Sequence, residues 1–187
     1  MQKAILDSAN YTIISATPDG IIRTFNKAAE RLLGYSAADV IDKTTPAMIH
    51  DLSEVVQRAQ ELSEELGETI EPGFEVFVTK ARRGEVEERR WSYIRADGSR
   101  FPVLLSITAL RDAENQITGF MGIARDITDL VQAEAEKARL LAELQDREAG
   151  IRELYECTIV PSHSSLVPSH LSLVTKGQMT NDQGQMT

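Results

Sequence analysis

The stretch YIRADGSRFPVLLSITAL, residues 93–110, decides the fold. Its Asp97-Gly98 pair lies between two runs rich in apolar and β-branched residues, and this arrangement is among the strongest local signals for a β-hairpin. Glycine suits such a turn because it adopts positive φ at no steric cost. The stretch therefore predicts strands over 88–95 and 101–110, joined by a turn over 96–99.

Further strand-like segments lie on both sides of this stretch. Their order along the chain predicts three hairpins, made of 11–16 with 21–25, 74–81 with 88–95, and 101–110 with 117–127. The first hairpin surrounds Thr17-Pro18-Asp19-Gly20, whose proline and glycine are typical turn residues. These patterns alone give six strands.

Helical spacing of apolar residues occupies the region between the first and second hairpins. Asn26 is a favourable N-cap because its side-chain oxygen can accept from a free amide of the first helical turn. Helices are predicted over 27–33, over 36–41, over 46–49, and from Asp51 or Ser53 to Gly67. Helices segregated from strands predict an α+β fold, an antiparallel sheet with helices on one face.

A long helix is predicted after the last strand. Residues 129–156 contain no proline and only one glycine, Gly150, and they are rich in good helix formers. Alternating a and d positions from Ile127 to Tyr155 are apolar at six of nine places, and they include Leu130, Leu141, Leu144 and Ile151. This pattern predicts either a weak coiled coil that dimerises or an amphipathic helix packed on its own domain.

The last residues differ from everything before them. After Cys157 the chain falls into seven-residue units such as VPSHSSL and VPSHLSL, whose prolines oppose a helix. We expect a low-complexity, disordered tail over 158–187, and we assign no metal to its histidines. The predicted organisation is a globular domain over 1–128, a long helix that is a weak coiled coil over 129–157, and this tail.

Composition excludes several classes of function. The net charge of −9 argues against a nucleic-acid partner, since phosphate binding rewards clustered Lys and Arg. A single cysteine forms no internal disulfide, and no apolar run has the length of a membrane span, so we expect a cytoplasmic protein. The sequence contains no recognisable catalytic motif, and we expect no enzyme activity.

Several short motifs together resemble a known family. Residues 8–128 resemble a PAS domain of the bacterial sensor type, on the strength of TPDG at 17–20, FNKAAE at 25–30, LGY at 33–35, RADGSRFPV at 95–103 and DIT at 126–128. The resemblance implies a five-stranded antiparallel sheet with helices on one face and a small cavity between them. It also regroups the later segments into 75–82, then 87–95 with 101–110, then 119–127, so one of the six predicted strands must disappear.

The resemblance implies a sensory module that regulates a partner. Asp126, Ile127 and Thr128 stand where the last strand meets the long helix, and we expect them to relay the signal, with Asp126 tethering the junction and Thr128 or Asp129 capping the helix. A homodimer, a small-molecule ligand and a downstream effector are the expected partners. The alternatives are a ligand-free dimerisation adaptor, or a fragment of a sensor histidine kinase or diguanylate cyclase. The end of the helix also resembles linkers of cyanobacterial multidomain sensor kinases.

The region that resembles a PAS domain contains few residues that could bind a cofactor. Flavin photosensors of this family use a reactive cysteine, and residues 1–128 contain none. A haem needs an axial ligand, for which His50 is the sole candidate, although a lone histidine before a helix is more often a capping or surface residue. We therefore expect no bound cofactor.

Overall fold

The computed structural model describes residues 11–158, and the statements below concern these residues. Five strands and several helices follow one another along the chain. In order they are β1 (Thr12–Ala16), β2 (Ile22–Phe25), α1 (Lys27–Leu33), α2 (Ala37–Val40), a 3₁₀-helix (Pro46–Ile49), α3 (Leu52–Leu66), α4 (Glu75–Arg82), β3 (Glu88–Ile94), β4 (Arg100–Arg111), β5 (Ile117–Asp126) and α5 (Thr128–Thr158).

The five strands form one antiparallel sheet in the order β2-β1-β5-β4-β3. The last strand, β5, is central because it pairs with β1 on one side and with β4 on the other. Side chains from the strands and from α1, α3 and α4 share one hydrophobic core. The predicted α+β class is confirmed, as is the five-stranded sheet that the resemblance implied.

The strand predicted over 74–81, and over 75–82 by the resemblance, is wrong, because residues 75–82 form helix α4 and Phe74 is its N-cap. The segment is short, rich in valine and buried around most of its circumference, and periodicity cannot distinguish such a run from a buried strand. The Thr79 hydroxyl donates to the Glu75 carbonyl one turn earlier, at 2.8 Å. As a result, β3 pairs with β4 across the Asp97-Gly98 turn and not with residues 74–81.

Asn26 ties the first helix to the first strand. Its Oδ1 accepts from the amides of Ala29 and Ile13, both at 3.0 Å, and its Nδ2 donates to the Tyr11 carbonyl. The side chain is therefore the N-cap of α1 and a bridge to β1 at once. Since its polar atoms are paired, burial of this amide costs little.

The Asp97-Gly98 turn also anchors the end of α1. Gly98 has φ of 82°, as such a turn requires. The Ala96 amide donates to the Leu33 carbonyl at 2.8 Å, and Arg95 Nε donates to the Leu32 carbonyl at 2.7 Å. These bonds satisfy carbonyls at a helix C-terminus that would otherwise lack partners.

Helix α5 begins beside the sheet and is exposed along most of its length. The chain divides into two compact units, Met1–Leu141 and Ala142–Thr187. In both units, every side chain of the helix from residue 132 to residue 155 is exposed. None of the helices within residues 11–158 is both long enough and apolar enough to cross a bilayer. The predicted tail over 158–187 lies outside the described residues except for Thr158, which is the last residue of α5.

Candidate functional site

An internal cavity of about 30 Å³ lies between the sheet and the helices. Its wall is almost wholly apolar because strands present alternate residues to the core. The lining comes from the strands (Ile14, Ala16, Tyr93, Leu105, Ile107, Phe120, Gly122), from the 3₁₀-helix and the residue after it (Pro46, Ile49, His50), and from α4 and the residue before it (Phe74, Phe77, Val78). A cavity of this volume admits a water molecule or two.

Gly122 on the central strand helps to keep this space open. A Cβ atom added there would lie 3.3 Å from Leu105 Cδ1 and 3.8 Å from Ile107 Cγ1. Any larger residue would project into side chains that line the cavity. Gly122 therefore places backbone, rather than a side chain, at this part of the wall.

His50 is the polar group of greatest chemical interest in the lining. Its side chain is buried, and Nδ1 lies 2.8 Å from the Pro46 carbonyl oxygen. Because a carbonyl only accepts, Nδ1 carries the proton and donates. Burial lowers the pKa of His50 from 6.5 to about 4, so the ring is neutral at pH 7. Nε2 is then an acceptor, and it has no hydrogen-bond partner among the described residues.

Three aromatic rings hold the imidazole in place. The ring centroids of Phe77, Tyr93 and Trp91 lie 4.2, 4.9 and 5.5 Å from that of His50. Burial raises the pKa of Tyr93 well above its ordinary value, and its hydroxyl is hydrogen-bonded to Thr12. The imidazole is therefore the one lining side chain in the described part of the chain whose polar atom lacks a partner.

The structure places His50 differently from its simplest interpretation in the sequence. Its backbone follows the 3₁₀-helix at the C-cap, yet its side chain is buried in the core and not at the surface. No local signal predicts this, since burial depends on Phe77 and on strand β3, both distant in sequence.

The cavity fits neither a haem nor a flavin. The free Nε2 lone pair could bind an iron atom, but pockets for drug-sized ligands measure roughly 300–1,000 Å³. A cavity of about 30 Å³ holds neither a porphyrin nor a flavin ring as it stands. No cysteine occurs in its lining, so flavin–thiol chemistry has no nucleophile there. Across residues 11–158, His, Cys, Asp and Glu form no group of three that could hold a metal ion.

The three predicted relay residues lie together at the junction of β5 and α5. Asp126 Oδ1 accepts from the Thr128 amide at 2.8 Å and from its hydroxyl at 2.6 Å. Ile127 is buried, and its amide donates to the Pro102 carbonyl at 3.0 Å. The helix is thus capped by Asp126, where the sequence had pointed to Thr128 or Asp129. The strand β5 ends at Asp126, two residues before the first residue of α5.

A second link between sheet and helix was not predicted. Arg90 on β3 makes a two-pronged ion pair with Glu134 on α5, with both N–O distances at 3.0 Å. The guanidinium holds the pKa of Glu134 below its ordinary value. The partners are 44 residues apart in the chain, so sequence spacing gives no signal for the pair.

The most buried charged side chain among the described residues belongs to a cluster of ion pairs outside the cavity lining. The Arg58 side chain on α3 is 6% exposed and pairs with Glu87 at 2.6 Å and with Glu61 at 3.2 Å. Lys80 on α4 pairs with Glu65 at 2.7 Å, and this bond holds the pKa of Glu65 below its ordinary value. The cluster joins α3, α4 and the segment before β3, which encloses the helical side of the core.

Comparison with known proteins agrees with this architecture. A family model described as "PAS domain" matches residues 10–129. Two-component system protein A of Emericella nidulans is 30% identical over 134 residues, which are 71% of this chain and 17% of that protein. The chain thus spans about a sixth of the length of that curated relative.

Solved structures show the same fold at low identity. A PAS domain from Colwellia psychrerythraea has a TM-score of 0.53 and 20% identity, over 68% of this chain and 95% of that one. An RNA-binding Light-Oxygen-Voltage receptor has a TM-score of 0.57 and 19% identity, over 75% of this chain and 36% of that one. PAS domains are in general sensory modules without catalytic activity. With its matched family model, its five-stranded sheet and its internal cavity, this chain belongs to the PAS-domain family and is a sensory signalling module.

Proposed function

We propose that this module senses a small molecule in the internal cavity and transmits its binding through α5 to a downstream effector. The observation that carries the proposal is the path of the central strand. Phe120 and Gly122 of β5 line the cavity, and the same strand ends at Asp126, which caps α5. A shift in the cavity wall therefore has a short covalent route to the helix, and a small shift suffices where two states differ by little energy.

We further propose that α5 dimerises the module. Leu130, Leu141, Leu144 and Ile151 are between 42% and 56% exposed, although they belong to one a/d stripe. Burying such a stripe against a second copy would remove apolar area from water. Charged residues at three of the nine a/d positions keep the coiled coil weak, which suits a helix that must change register or splay.

The module itself is proposed to be non-catalytic and cytoplasmic, and to work without haem or flavin. Its ionisable lining groups within residues 11–158 are His50 and Tyr93, and neither forms a nucleophile–base pair. An absorption spectrum of the freshly purified protein checks the cofactor statement. A stoichiometric Soret band that disappears in His50→Ala would contradict it.

The small cavity supports a second candidate function. At about 30 Å³, the space is close to filled by side chains, as in a domain that only dimerises or docks a partner. In that case the cavity would not bind ligands and its wall would not communicate with α5.

The effector, whether a kinase, a cyclase or another protein, would follow in a longer chain, as the size of the E. nidulans relative allows.

Amide hydrogen exchange in the full chain tests the route from the cavity to α5. Gly122→Ala adds a methyl group at the cavity wall, and Thr108→Ala is the matched control on an exposed residue of β4. We expect Gly122→Ala to change exchange at the amides of Ile127 and Val131, while Thr108→Ala does not. Equal exchange in both variants would contradict the relay and favour the adaptor.

A further inference from the structure

The chemistry of the cavity wall says what kind of molecule it would take. Resting on the sensing function above, we propose that the cavity selects a small neutral molecule that carries one N–H or O–H group, which donates a hydrogen bond to His50 Nε2. The rest of the molecule would be apolar, to match the remainder of the wall.

The direction of the hydrogen bond follows from the other ring nitrogen. Nδ1 must donate to the Pro46 carbonyl, which lies at the start of the 3₁₀-helix. A neutral imidazole has one donor and one acceptor, so Nε2 is left with a lone pair. A ligand that offered only an acceptor would place two lone pairs face to face, and it would be rejected.

Packing fixes the orientation of the imidazole ring. His50 is 5% exposed, and the faces and edges of its imidazole contact Phe77, Tyr93 and Trp91. The Tyr93 hydroxyl makes no hydrogen bond to Nε2, which has no partner among the described residues. Water that enters the cavity can donate to this acceptor. A donor-bearing ligand replaces that bond, whereas an apolar ligand displaces the water and leaves the acceptor unpaired, so the donor-bearing ligand gains more.

The charge and the size of a ligand restrict further which molecules the cavity could bind. A charged ligand would lose its hydration against an apolar wall without an opposite charge to replace it. The cavity of about 30 Å³ takes only a few heavy atoms unless a side chain moves. Phe74 is one of the partly buried lining residues, and it precedes the first turn of α4. Its displacement would admit a five-membered ring.

Pyrrole and furan form a matched pair of probes. The two rings have nearly the same size and shape, but pyrrole carries an N–H donor and furan has an oxygen acceptor in its place. Each is titrated into the full chain, and its dissociation constant is measured by NMR. The ¹⁵N resonance of His50 Nε2 is followed as well, because it moves upfield when the nitrogen accepts a hydrogen bond.

We expect pyrrole to bind about tenfold more tightly than furan, the size of effect that one buried hydrogen bond produces. The Nε2 resonance should move with pyrrole and not with furan. In His50→Phe, which keeps an aromatic ring but removes the acceptor, the preference should vanish. Should His50→Phe fail to fold, the Nε2 resonance of the native chain still decides the question.

Three results would overturn the inference. If furan binds as tightly as pyrrole, the cavity takes ligands and the sensing function stands, but His50 does not select them. If pyrrole binds without moving the Nε2 resonance, it binds elsewhere in the cavity. If neither ring binds, both this inference and small-molecule sensing in this cavity fail, whatever hydrogen exchange shows about the relay.

Discussion

The cavity wall and the C-terminal helix are built on opposite principles. Around the cavity, side chains such as Phe77 are enclosed by neighbours from the sheet and from other helices. Along α5, every side chain from residue 132 to residue 155 is exposed, and the helix depends on its own propensity. A closely packed input region has few alternative arrangements, whereas an exposed helix can adopt a new register or partner at small cost. The contrast is what a sensor with a separate output element requires.

Truncation of a core side chain should give the largest effect. Phe77→Ala removes a ring that contacts His50 and Trp91, at centroid distances of 4.2 and 5.0 Å. We expect a loss of about 3–5 kcal/mol in the free energy of unfolding. Leu140→Ala is the control on α5, 50% exposed and outside the a/d stripe, and should change stability by less than about 0.5 kcal/mol. Urea denaturation measures both, and similar losses would refute the contrast.

The fold that underlies this contrast was only partly predictable from the sequence. Strands next to Asp97-Gly98 and Thr17-Pro18-Asp19-Gly20 were predictable because turn chemistry and apolar alternation are local. The helix cap at Asn26 was predictable for the same reason. Helix α4 was missed because a short, valine-rich run buried on most sides has no distinctive period.

The candidate site was harder to predict than the fold. The burial of His50 arises from contacts with α4 and β3, which are remote in sequence. The ion pair between Arg90 and Glu134 spans 44 residues. Such contacts depend on how the elements assemble, and a single sequence carries no record of that. Residues 126–128 could be placed at the junction because a strand followed directly by a helix leaves a local signature, and their relay role stays a prediction.

Acid should destabilise the core through His50. Its pKa is about 4 in the folded protein and 6.5 when unfolded, so the unfolded chain binds the proton more tightly. This contribution to stability is complete above pH 6.5 and is lost as pH falls towards 4. A difference of this size amounts to about 3 kcal/mol over that window.

His50→Phe separates this effect from the carboxylates, which also titrate near the lower end of the range. Unfolding free energies measured from pH 7 to pH 4.5 should fall less steeply in His50→Phe than in the native chain, with the difference beginning near pH 6.5. Parallel curves for the two proteins would show that the imidazole is not protected from protonation by burial.

The exposed helix should respond to charge on its apolar stripe. Leu141→Glu with Leu144→Glu places like charges across a dimer axis and removes two core positions of the proposed coiled coil. We expect the dimer to weaken by at least about tenfold, or about 1.4 kcal/mol, in analytical ultracentrifugation. Arg139→Glu changes charge outside the stripe and should leave the dimer intact. A double variant as dimeric as the native chain would move the interface elsewhere.

The smallest effect should occur where the two regions meet, at Asp126. Asp126→Ala removes the acceptor for the Thr128 amide and hydroxyl, and we expect a loss of about 1 kcal/mol, as for other helix caps. Faster amide exchange at Thr128 should accompany the loss. Asp126→Asn keeps an oxygen at the same place without the charge, and asparagine caps helices as well as aspartate does.

The two substitutions separate a cap from an electrostatic tether. If Asp126 acts by its hydrogen bonds, Asp126→Asn should keep nearly all of the stability and the slow exchange at Thr128. If Asp126→Asn loses as much as Asp126→Ala, the charge itself holds the junction, and a cation must approach it in some state of the protein. The junction would then be set by ionic strength as well as by packing, and salt should weaken the coupling between the cavity wall and α5.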